Sequence, residues 1–564
     1  MSVSTDTFRC DFLLSPTTSV AEHTGGDEVV VVFHGELYPD SGGEASQRCL
    51  DAYMTDDVRF VSSLHGSFAM VIVDARQDRI LFITDPVNSR KLFFGEYNGL
   101  VWISTMHAFH LHPCSGRPDP VGLAHCLVNG IPMNGRTPFD GVRVLERGSI
   151  HEIQGTRVTS QPYWRYEPKP KAGATAESLK GDLRDAMLAA VERRLPSAGE
   201  VCLSLSGGYD STAILGAFGC LGVPDVRCFT YIKPMETERS DASVARKMAA
   251  IAGYEYTEVE AYQDDVASVI ADNVQWGHGL TRLVVETDTW RTLRGLLPAD
   301  ERTTLWVGDE CFGMDPPRTL HDDADVLNSL AFASWSSLGP LKELFPRSVA
   351  SLLDDALQDD LEAMLERSPA ISDPYVLRDY LYLYQRLPRL LSWREAFAES
   401  CGEVRNPLID REVLELRQRF PKHLTLGKQF FKDTVTELFP ELFAIDRAFA
   451  GSSTAGQWCR EVVRAQSVDL ARMIRASPSP FDEYLPPEGL LRVIDQETSR
   501  AGAQRRLARS ARVIKGRVRK RIRFVGRPNP PALRPQRLTV DPAVFVLRAI
   551  ILRELYRQRA AAFQ

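Results

Sequence analysis

One twelve-residue stretch constrains the fold more than any other part of this 564-residue chain. Residues 204–215, SLSGGYDSTAIL, join a strand-like apolar run to a helix-like one, with two glycines, three serines and an aspartate. Downstream, DVRCFTYI and YTEVEA predict further strands, separated by the helical pattern SDASVARKMAAIAG with its serine cap and closing glycine. This succession predicts a parallel sheet with right-handed crossovers. The joint therefore lies at the carboxyl end of a strand, where open α/β sheets bind ligands.

The composition of the joint indicates what it binds. A helix N-terminus offers unpaired N–H groups and a positive dipole end, and adjacent glycines let an anion approach the backbone closely. Asp210 would repel a bare phosphate, so a Mg²⁺ ion between carboxylate and phosphate is the simplest explanation of its presence. We therefore predict a metal-bound pyrophosphate site. The residues predicted to bind ATP or its pyrophosphate are Leu205, Ser206, Gly207, Gly208, Asp210 and Ser211.

The rest of the chain divides by pattern into four parts. The first part is rich in short β-branched and aromatic runs, including VVVVF and the pair FAMVIVDA and RILFITD, whose connection resembles a hairpin turn. Between Arg500 and Arg537 stand fourteen Lys or Arg residues and no Asp or Glu. The predicted parts are a first domain at 1–165, a linker at 166–178, a second domain at 179–460 and a helical, basic extension at 461–564.

Composition excludes several classes of protein. The formal net charge of −7 predicts no general attraction to nucleic acid or membranes, and no apolar run reaches the roughly 20 residues that span a bilayer. The ten cysteines show no metal-ligand spacing, which is typical of buried thiols in a reducing compartment. Because the start MSVSTDTFRCDF lacks signal-peptide features, we expect a cytoplasmic protein.

A second carboxylate motif, GDECFG at 308–313, follows the predicted strand TTLWV. With the pattern S-G-G-x-D-[ST], it resembles the asparagine synthetase family, whose ATP-pyrophosphatase (PP-loop) domain splits ATP between its α and β phosphates. By that resemblance Asp210 and Asp309 hold Mg²⁺. In GEVRNPLID, Glu403 aligns with the glutamate that faces the acceptor substrate, and in GKQFFKDTVTELFP, Lys428 aligns with the lysine that contacts the phosphates.

The amino-terminal part resembles the glutaminase domain of the same family. The segments HGELYPD, LHGSFAMVIVDARQDRILFITD and RTPFDGVRVLERGSIHEI carry that likeness. The resemblance covers about residues 25–450. It implies an α/β protein in which an Ntn-type antiparallel β-sandwich precedes a parallel-sheet PP-loop domain with a largely helical C-terminal part.

Several positions depart from the family pattern. Ser2 replaces the nucleophilic cysteine, which Cys10 could supply only after processing, and His34 replaces the oxyanion-stabilising asparagine. We therefore expect no glutaminase activity, so the reacting amine belongs to a substrate. Trp306 stands where asparagine synthetases have a glutamate and β-lactam synthetases a tyrosine. Ala448 stands where a second family lysine is expected, and the neighbouring Arg447 is a candidate for its charge.

The members without glutaminase activity are β-lactam synthetases and lasso peptide cyclases, and the long chain with its basic extension is more similar to the cyclases. The resemblance implies an AMP-forming macrolactam synthetase that adenylates an Asp or Glu side chain of a precursor peptide. The peptide α-amine then closes the ring, with Glu403 and Lys428 as catalytic residues, ATP and Mg²⁺ as cofactors, and a leader peptidase and leader-binding protein as partners. Tyr380, Tyr382 and Tyr384 either line a peptide channel or pack in the core.

Three alternatives remain at this stage. One is a β-lactam-type synthetase acting on a small β-amino acid, and another is an ammonia-dependent asparagine synthetase. The third is a non-catalytic scaffold or nucleic-acid-binding protein with a relic ATP site. The basic segment at 500–537 fits a solvated arm, a binding site for an acidic peptide or protein, or a nucleic-acid contact.

Overall fold

The computed structural model describes most of the chain. The described residues are 2–4, 9–11, 18–23, 28–39, 44–97, 100–105, 117–154, 157–232, 240–260, 265–277, 287–297, 303–313, 319–388, 391, 397, 401–447, 454–499 and 539–562. The basic segment at 500–537 and Ala448 therefore lie outside them.

The amino-terminal part is built from antiparallel strands. They are β1 (Ser2–Ser4), β2 (Arg9–Asp11), β3 (Thr18–His23), β4 (Val29–Leu37), β5 (Gly66–Asp74), β6 (Arg79–Thr84), β7 (Leu92–Tyr97), β8 (Leu100–Thr105), β9 (Val142–Val144), β10 (Ser149–Gln154) and β11 (Arg157–Pro162). A six-stranded sheet has the order β11-β10-β6-β5-β4-β3, and a three-stranded sheet has the order β8-β7-β9. The strands β1 and β2 form a separate two-stranded sheet.

Alternation along the strands divides the larger sheet into two apolar faces. On β4, Val30 and Val32 pack in one cluster with Leu92 of the smaller sheet, which makes the two sheets a sandwich. On the other face, Val31 and Phe33 pack with residues of the helix Ala45–Asp56. The predicted antiparallel sandwich is confirmed.

The predicted hairpin between β5 and β6 is also confirmed, because the two strands pair in antiparallel register from Ala69 with Thr84 to Asp74 with Arg79. The Asp74 carboxylate accepts the Arg76 N–H at 3.0 Å, and Asp78 adopts a left-handed φ of 46°. Aspartate tolerates both roles, which is why this connection could be read from the sequence.

The second part contains a five-stranded parallel sheet. Its strands are β12 (Glu200–Ser204), β13 (Val226–Ile232), β14 (Glu255–Glu260), β15 (Thr303–Trp306) and β16 (Glu403–Arg405), in the order β14-β13-β12-β15-β16. The chain moves from β12 to one side for β13 and β14, and to the other side for β15 and β16. The gap between β12 and β15 is therefore the topological switch point, where such sheets bind ligands.

Helices cover both parts of the described chain. Their bounds are Ala45–Asp56, Pro120–Asn129, Ala176–Glu192, Tyr209–Leu221, Asp241–Ala252, Val266–Gln275, Thr287–Leu296, Asp323–Ser329, Arg347–Glu366, Pro374–Leu381, Arg411–Gln418, Lys422–Thr425, Gln429–Leu438, Pro440–Phe443, Thr454–Ala465, Ser467–Ala476, 487–499 and Pro542–Ala562. Ser240 caps the helix Asp241–Ala252 by accepting the Ser243 N–H, and Gly253 ends it with a φ of 75°. Both signals are visible in the sequence.

The helix Pro542–Ala562 belongs to the packed interior of the molecule. Most of its apolar side chains are buried, and the Arg548 guanidinium donates to the carbonyls of Leu127 and Val128 at 3.0 and 2.9 Å. Those carbonyls are at the end of the helix Pro120–Asn129, where a cation is favourable. This helix thus ties the segment after residue 539 to the amino-terminal domain. In the part of the chain that is described, no helix is both long and apolar enough to cross a membrane.

Candidate active site

The turn after β12 forms one side of the switch point. Gly208 is the N-cap of the helix Tyr209–Leu221, with no side-chain cap bond and an ordinary φ of −84°. Two serine hydroxyls organise the turn: Ser206 Oγ accepts the Gly208 N–H at 3.2 Å, and Ser211 Oγ accepts the Ser206 N–H at 3.0 Å. The Gly207 N–H donates to the Asp241 carboxylate at 3.1 Å. The turn is thus a compact loop of hydroxyls and amides at a positive helix end.

The glycine after β15 brings the two predicted metal ligands together. A Cβ on Gly308 would lie 2.9 Å from the Ser211 nitrogen and 3.1 Å from Asp210 Cβ. The end of β15 therefore approaches the start of the helix so closely that only glycine fits. Asp309 follows immediately, and the pKa of Asp210 is raised by burial and, to a smaller extent, by the charge of Asp309. Close approach of backbone is a common reason for glycine at a site.

Lys428 joins this carboxylate pair from a third element. It adopts a left-handed φ of 61° just before the helix Gln429–Leu438, and it is 9% exposed. Its Nζ forms an ion pair with Asp210 and another with Glu310 Oε1 at 3.2 Å. Burial lowers the pKa of Lys428, but the charges of Glu310 and Asp210 outweigh burial and raise it overall. The lysine is therefore a fixed positive charge in the cleft.

Glu310 is a site residue that the sequence analysis did not assign. Its carboxylate accepts the N–H groups of Phe312 and Gly313, the latter at 3.1 Å, and the Tyr382 hydroxyl donates to its backbone carbonyl at 3.2 Å. Desolvation raises the pKa of Glu310 to about 7, with Lys428 opposing the shift. The signal was present, since Glu310 stands beside the predicted metal ligand in GDECFG.

Further cations surround the turn. Arg447 Nη1 donates to Thr212 Oγ1 at 3.2 Å, and its guanidinium lies 3.8 Å from the centre of the Phe443 ring. The charge of Lys432 opposes the rise in the pKa of Asp210 that burial causes. Arg447 thus lies beside the start of this helix, and its role as a replacement for the second family lysine stays a prediction.

The remaining predicted positions lie further back in the sheet. Leu205 is buried, and its N–H donates to the Phe229 carbonyl at 2.9 Å. Glu403 is the first residue of β16, in register with Thr304, and its carboxylate lies 3.3 Å from Arg405 Nη2. Trp306 is fully buried, and its N–H donates to Thr304 Oγ1 at 3.1 Å. The Trp306 indole cannot accept a proton near neutral pH, so it cannot act as a general base.

The three tyrosines of the sequence analysis pack rather than line open space. Tyr380 and Tyr384 stack with ring centres 4.3 Å apart, and the Arg147 guanidinium lies 3.6 Å from the Tyr384 ring centre. Tyr380 and Tyr382 are 9% and 5% exposed. Of the two interpretations, core packing is the one that the structure supports.

The fit of a divalent cation can be judged from the side chains present. Among the described residues, no group of three or more His, Cys, Asp or Glu could hold a metal ion by itself. Mg²⁺ is commonly held by one or two carboxylates together with substrate phosphates. Asp210 and Asp309 supply such carboxylates beside a phosphate-binding turn, so the donor set fits Mg²⁺ carried in with ATP.

Comparison with known proteins agrees with this architecture. A glutamine amidotransferase domain model matches residues 46–164, and an asparagine synthase model matches residues 182–292. The chain is 25% identical over 288 residues to amidase chyE of Penicillium rubens, covering 45% of this chain and 42% of that protein. It is 25% identical over 209 residues to asparagine synthetase [glutamine-hydrolyzing] 3 of Bacillus subtilis, covering 34% and 33% respectively. The chain thus spans less than half the length of these curated relatives.

Similarity to solved structures is weak by comparison. The glutamine phosphoribosylpyrophosphate amidotransferase of B. subtilis aligns with a TM-score of 0.18 and 11% identity, over 52% of this chain and 58% of that one.

Fold and site define a two-domain α/β protein with an amidotransferase-like sandwich and a synthetase domain. The two matched domain models and the Bacillus subtilis relatives show that the chain is similar to asparagine synthetases over these segments.

Proposed function

We propose that this chain is an ATP-dependent amide-forming ligase that cyclises a peptide, a macrolactam synthetase of the lasso peptide type. The observation that carries the proposal is the charged cluster at the switch point. Asp210, Lys428 and Glu310 meet there beside Asp309 and a helix N-terminus. The amidotransferase-like domain, in contrast, has Ser2 and His34 where glutamine hydrolysis needs a thiol and an amide.

The first step is adenylation of a carboxylate. An oxygen of an Asp or Glu side chain on the peptide attacks the α-phosphorus of ATP, the bond to the bridging oxygen breaks, and pyrophosphate leaves. Mg²⁺ held by Asp210 and Asp309 would supply charge neutralisation to the pyrophosphate. Lys428 is buried and positively charged, so it offsets phosphate charge without reorganisation. The N-terminus of the helix Tyr209–Leu221, which follows the serine-rich turn, orients the phosphates.

The second step forms the ring. The peptide α-amine attacks the acyl carbonyl, the carbon–oxygen bond to AMP breaks, and the amine loses a proton. An α-amine has a pKa of about 7.7–8.0 and is partly unprotonated near neutral pH, so little help from a base is needed. This agrees with Trp306, which is buried and offers no base. In the proposal Glu403 orients or deprotonates the amine.

The amidotransferase-like domain supplies no ammonia in this scheme. Its strand β1 carries Ser2 in a two-stranded sheet separate from the six-stranded one. His34 lies on β4, next to the edge strand of that larger sheet, opposite Thr18 and Ala69. The names of the fungal relatives describe them as amidases, which is also amide chemistry. We propose a cytoplasmic enzyme that works with a leader peptidase and a leader-binding protein.

A product assay tests the proposal. The purified protein is incubated with Mg-ATP and a mixture of synthetic peptides, each with a free α-amine and one Asp or Glu at successive positions. We expect AMP, pyrophosphate and a peptide that has lost one water, detected by chromatography and mass spectrometry. Formation of asparagine from aspartate and ammonium, or pyrophosphate exchange only with a small β-amino acid, would contradict the proposal. Release of ADP and orthophosphate would contradict it too.

A further inference from the structure

A buried arginine connects the two domains at a point that the reaction scheme has not used. Arg405 on β16 is 1% exposed, and its Nη2 lies 2.8 Å from Glu36 Oε1 and 3.3 Å from Glu403 Oε2. Glu36 belongs to β4 of the amidotransferase-like sandwich, and Glu403 to the parallel sheet. One guanidinium nitrogen thus contacts a carboxylate from each domain.

Both ends of this connection are fixed in place. Arg405 Nη1 donates to the Arg194 carbonyl, so the guanidinium is held from a second side. The second oxygen of Glu36 accepts the Tyr38 hydroxyl at 3.3 Å, and the Arg194 guanidinium lies 4.5 Å from the centre of the Tyr38 ring. Side chains held by packing and hydrogen bonds on several sides position their partners accurately.

The backbone beside Glu36 is constrained as well. Gly35 has a φ of 113°, and a Cβ there would lie 2.1 Å from the Ser67 carbonyl oxygen. Only glycine fits such a position, because β4 and β5 approach each other too closely for a side chain. The H-G-E segment therefore serves to place Glu36, although it lacks the asparagine of a glutaminase.

We propose that Glu36 is a positioning residue for amide formation: it orients Arg405, and Arg405 orients the carboxylate of Glu403 toward the acceptor amine. The amidotransferase-like domain is retained as the support of the synthetase site rather than as a source of ammonia. This inference rests on the proposed function, since it takes Glu403 as the carboxylate that meets the amine. The side chain of Glu403 is 29% exposed, which leaves part of it open to a substrate, while Arg405 behind it is enclosed.

The test separates the two chemical steps in the full-length protein. Adenylation is followed by ATP–pyrophosphate exchange with the peptide mixture described above, and ring closure by mass spectrometry. In Glu36→Gln we expect exchange and the KM for ATP to remain unchanged, while kcat for ring closure falls about 10- to 100-fold, because misplacement of a reacting group by about 1 Å costs that much. Glu36→Asp, which keeps the charge, should recover part of the loss.

A double variant tests whether Glu36 acts through Glu403. If it does, Glu36→Gln combined with Glu403→Gln closes rings no more slowly than Glu403→Gln alone, because the two changes share one pathway. The matched control is Asp360→Asn, which breaks another buried contact between the same two domains, to His125 and Arg136, away from Glu403. The control should leave ring closure unchanged, and a comparable loss there would overturn the proposal.

A crystal structure of Glu36→Gln gives a readout that does not depend on the reaction. We expect the Arg405 guanidinium and the Glu403 carboxylate to move from their positions in the unaltered protein. Unmoved side chains, or additive losses in the double variant, overturn the positioning role. Absence of exchange and ring closure in the unaltered protein overturns the proposed function instead, and displacement of Glu403 would still support the link between the domains.

Discussion

The two domains of this chain differ in the charged side chains that they carry. The parallel-sheet domain has a dense set of charges at its switch point, with Lys428 between Asp210 and Glu310. The sandwich is similar to a glutamine amidotransferase domain over residues 46–164, and in the proposal Ser2 and His34 stand where glutamine hydrolysis would need a thiol and an amide. In both domains a glycine permits a close approach of two backbone segments. The proposal thus implies that a fold and its close backbone contacts persist where the reactive side chains do not.

The two domains also differ in the carboxylate that each of these glycines positions. Gly308 brings Asp309 beside the turn after β12, and Gly35 brings Glu36 beside Arg405 of the other domain. In the proposal, the first placement serves Mg²⁺ and ATP, and the second positions a residue of the other domain. The predictions below are arranged so that each one breaks or sharpens this contrast.

The largest effect is expected at the carboxylates proposed to hold Mg²⁺. Asp309→Asn removes one negative charge beside the turn, so Mg-ATP should bind about 100-fold more weakly, comparable to the loss of one well-placed electrostatic contact. The measurement is the rise in Tm on addition of Mg-ATP, with Asp355→Asn, an exposed surface carboxylate, as the control. Equal stabilisation of both variants by Mg-ATP would contradict a metal role for Asp309.

The second largest effect is expected from the buried contact of Asp360 with His125 and Arg136, which joins the two domains. The Asp360 carboxylate lies 3.1 Å from His125 Nε2 and 3.2 Å from Arg136 Nε, and these partners lower its pKa although burial alone raises it. Asp360→Asn should lower the free energy of unfolding by about 1–3 kcal/mol at pH 7, because it removes a buried carboxylate that His125 and Arg136 contact.

The pH dependence of that loss has a definite sign. A depressed carboxyl pKa stabilises the fold above the ordinary value near 3.8, and this stabilisation disappears as the pH falls through the lower, folded value. The difference between the protein and Asp360→Asn, measured by urea unfolding, should therefore shrink on acidification below pH 4. A difference that grows with acidity would contradict the assignment.

A smaller effect is expected from Gly308→Ala. The added Cβ would press on the Ser211 nitrogen and on Asp210, so the variant should lose about 1–3 kcal/mol of stability and bind Mg-ATP more weakly. Gly219 lies in the helix Tyr209–Leu221, and a Cβ there would have nothing within 4 Å of it. Gly219→Ala should therefore gain about 0.5–1 kcal/mol of stability. Thermal unfolding with and without Mg-ATP distinguishes the two variants, and similar behaviour would show that the close approach is not needed.

No effect on ATP–pyrophosphate exchange is expected from substitution of His34. His34→Ala should leave ATP–pyrophosphate exchange unchanged, and neither the protein nor the variant should release ammonia from glutamine. A coupled glutamate assay measures the ammonia-releasing reaction. Glutamine hydrolysis by the unaltered protein would remove the contrast between the domains altogether.

Local signals made much of the fold readable in advance. The strand-to-helix joint, the Asp74–Asp78 hairpin and the caps of the helix Asp241–Ala252 depend on neighbouring residues, so short stretches of sequence specify them. The strand order is different, because it depends on contacts between distant segments. Nothing local indicates that β15 lies beside β12, and that pairing creates the switch point.

The same distinction applies to the site. Asp210, Asp309 and Lys428 were found through their motifs, whereas the part played by Glu310 depends on a lysine more than a hundred residues away. The connection between Glu36 and Arg405 was equally invisible, since it joins residues 369 positions apart. Motifs indicate which side chains matter, but only the packed structure gives their partners.

The helix Pro542–Ala562 has a consequence for how this molecule is made. Arg548 meets Leu127 across 421 residues, so the sandwich emerges from the ribosome long before its partner helix exists. Until then the end of the helix Pro120–Asn129 lacks its cation, and the apolar surface that the later helix covers stays open to solvent or to chaperones. A protein truncated at the apparent domain boundary would lack this helix, and the surface that the helix covers would stay exposed.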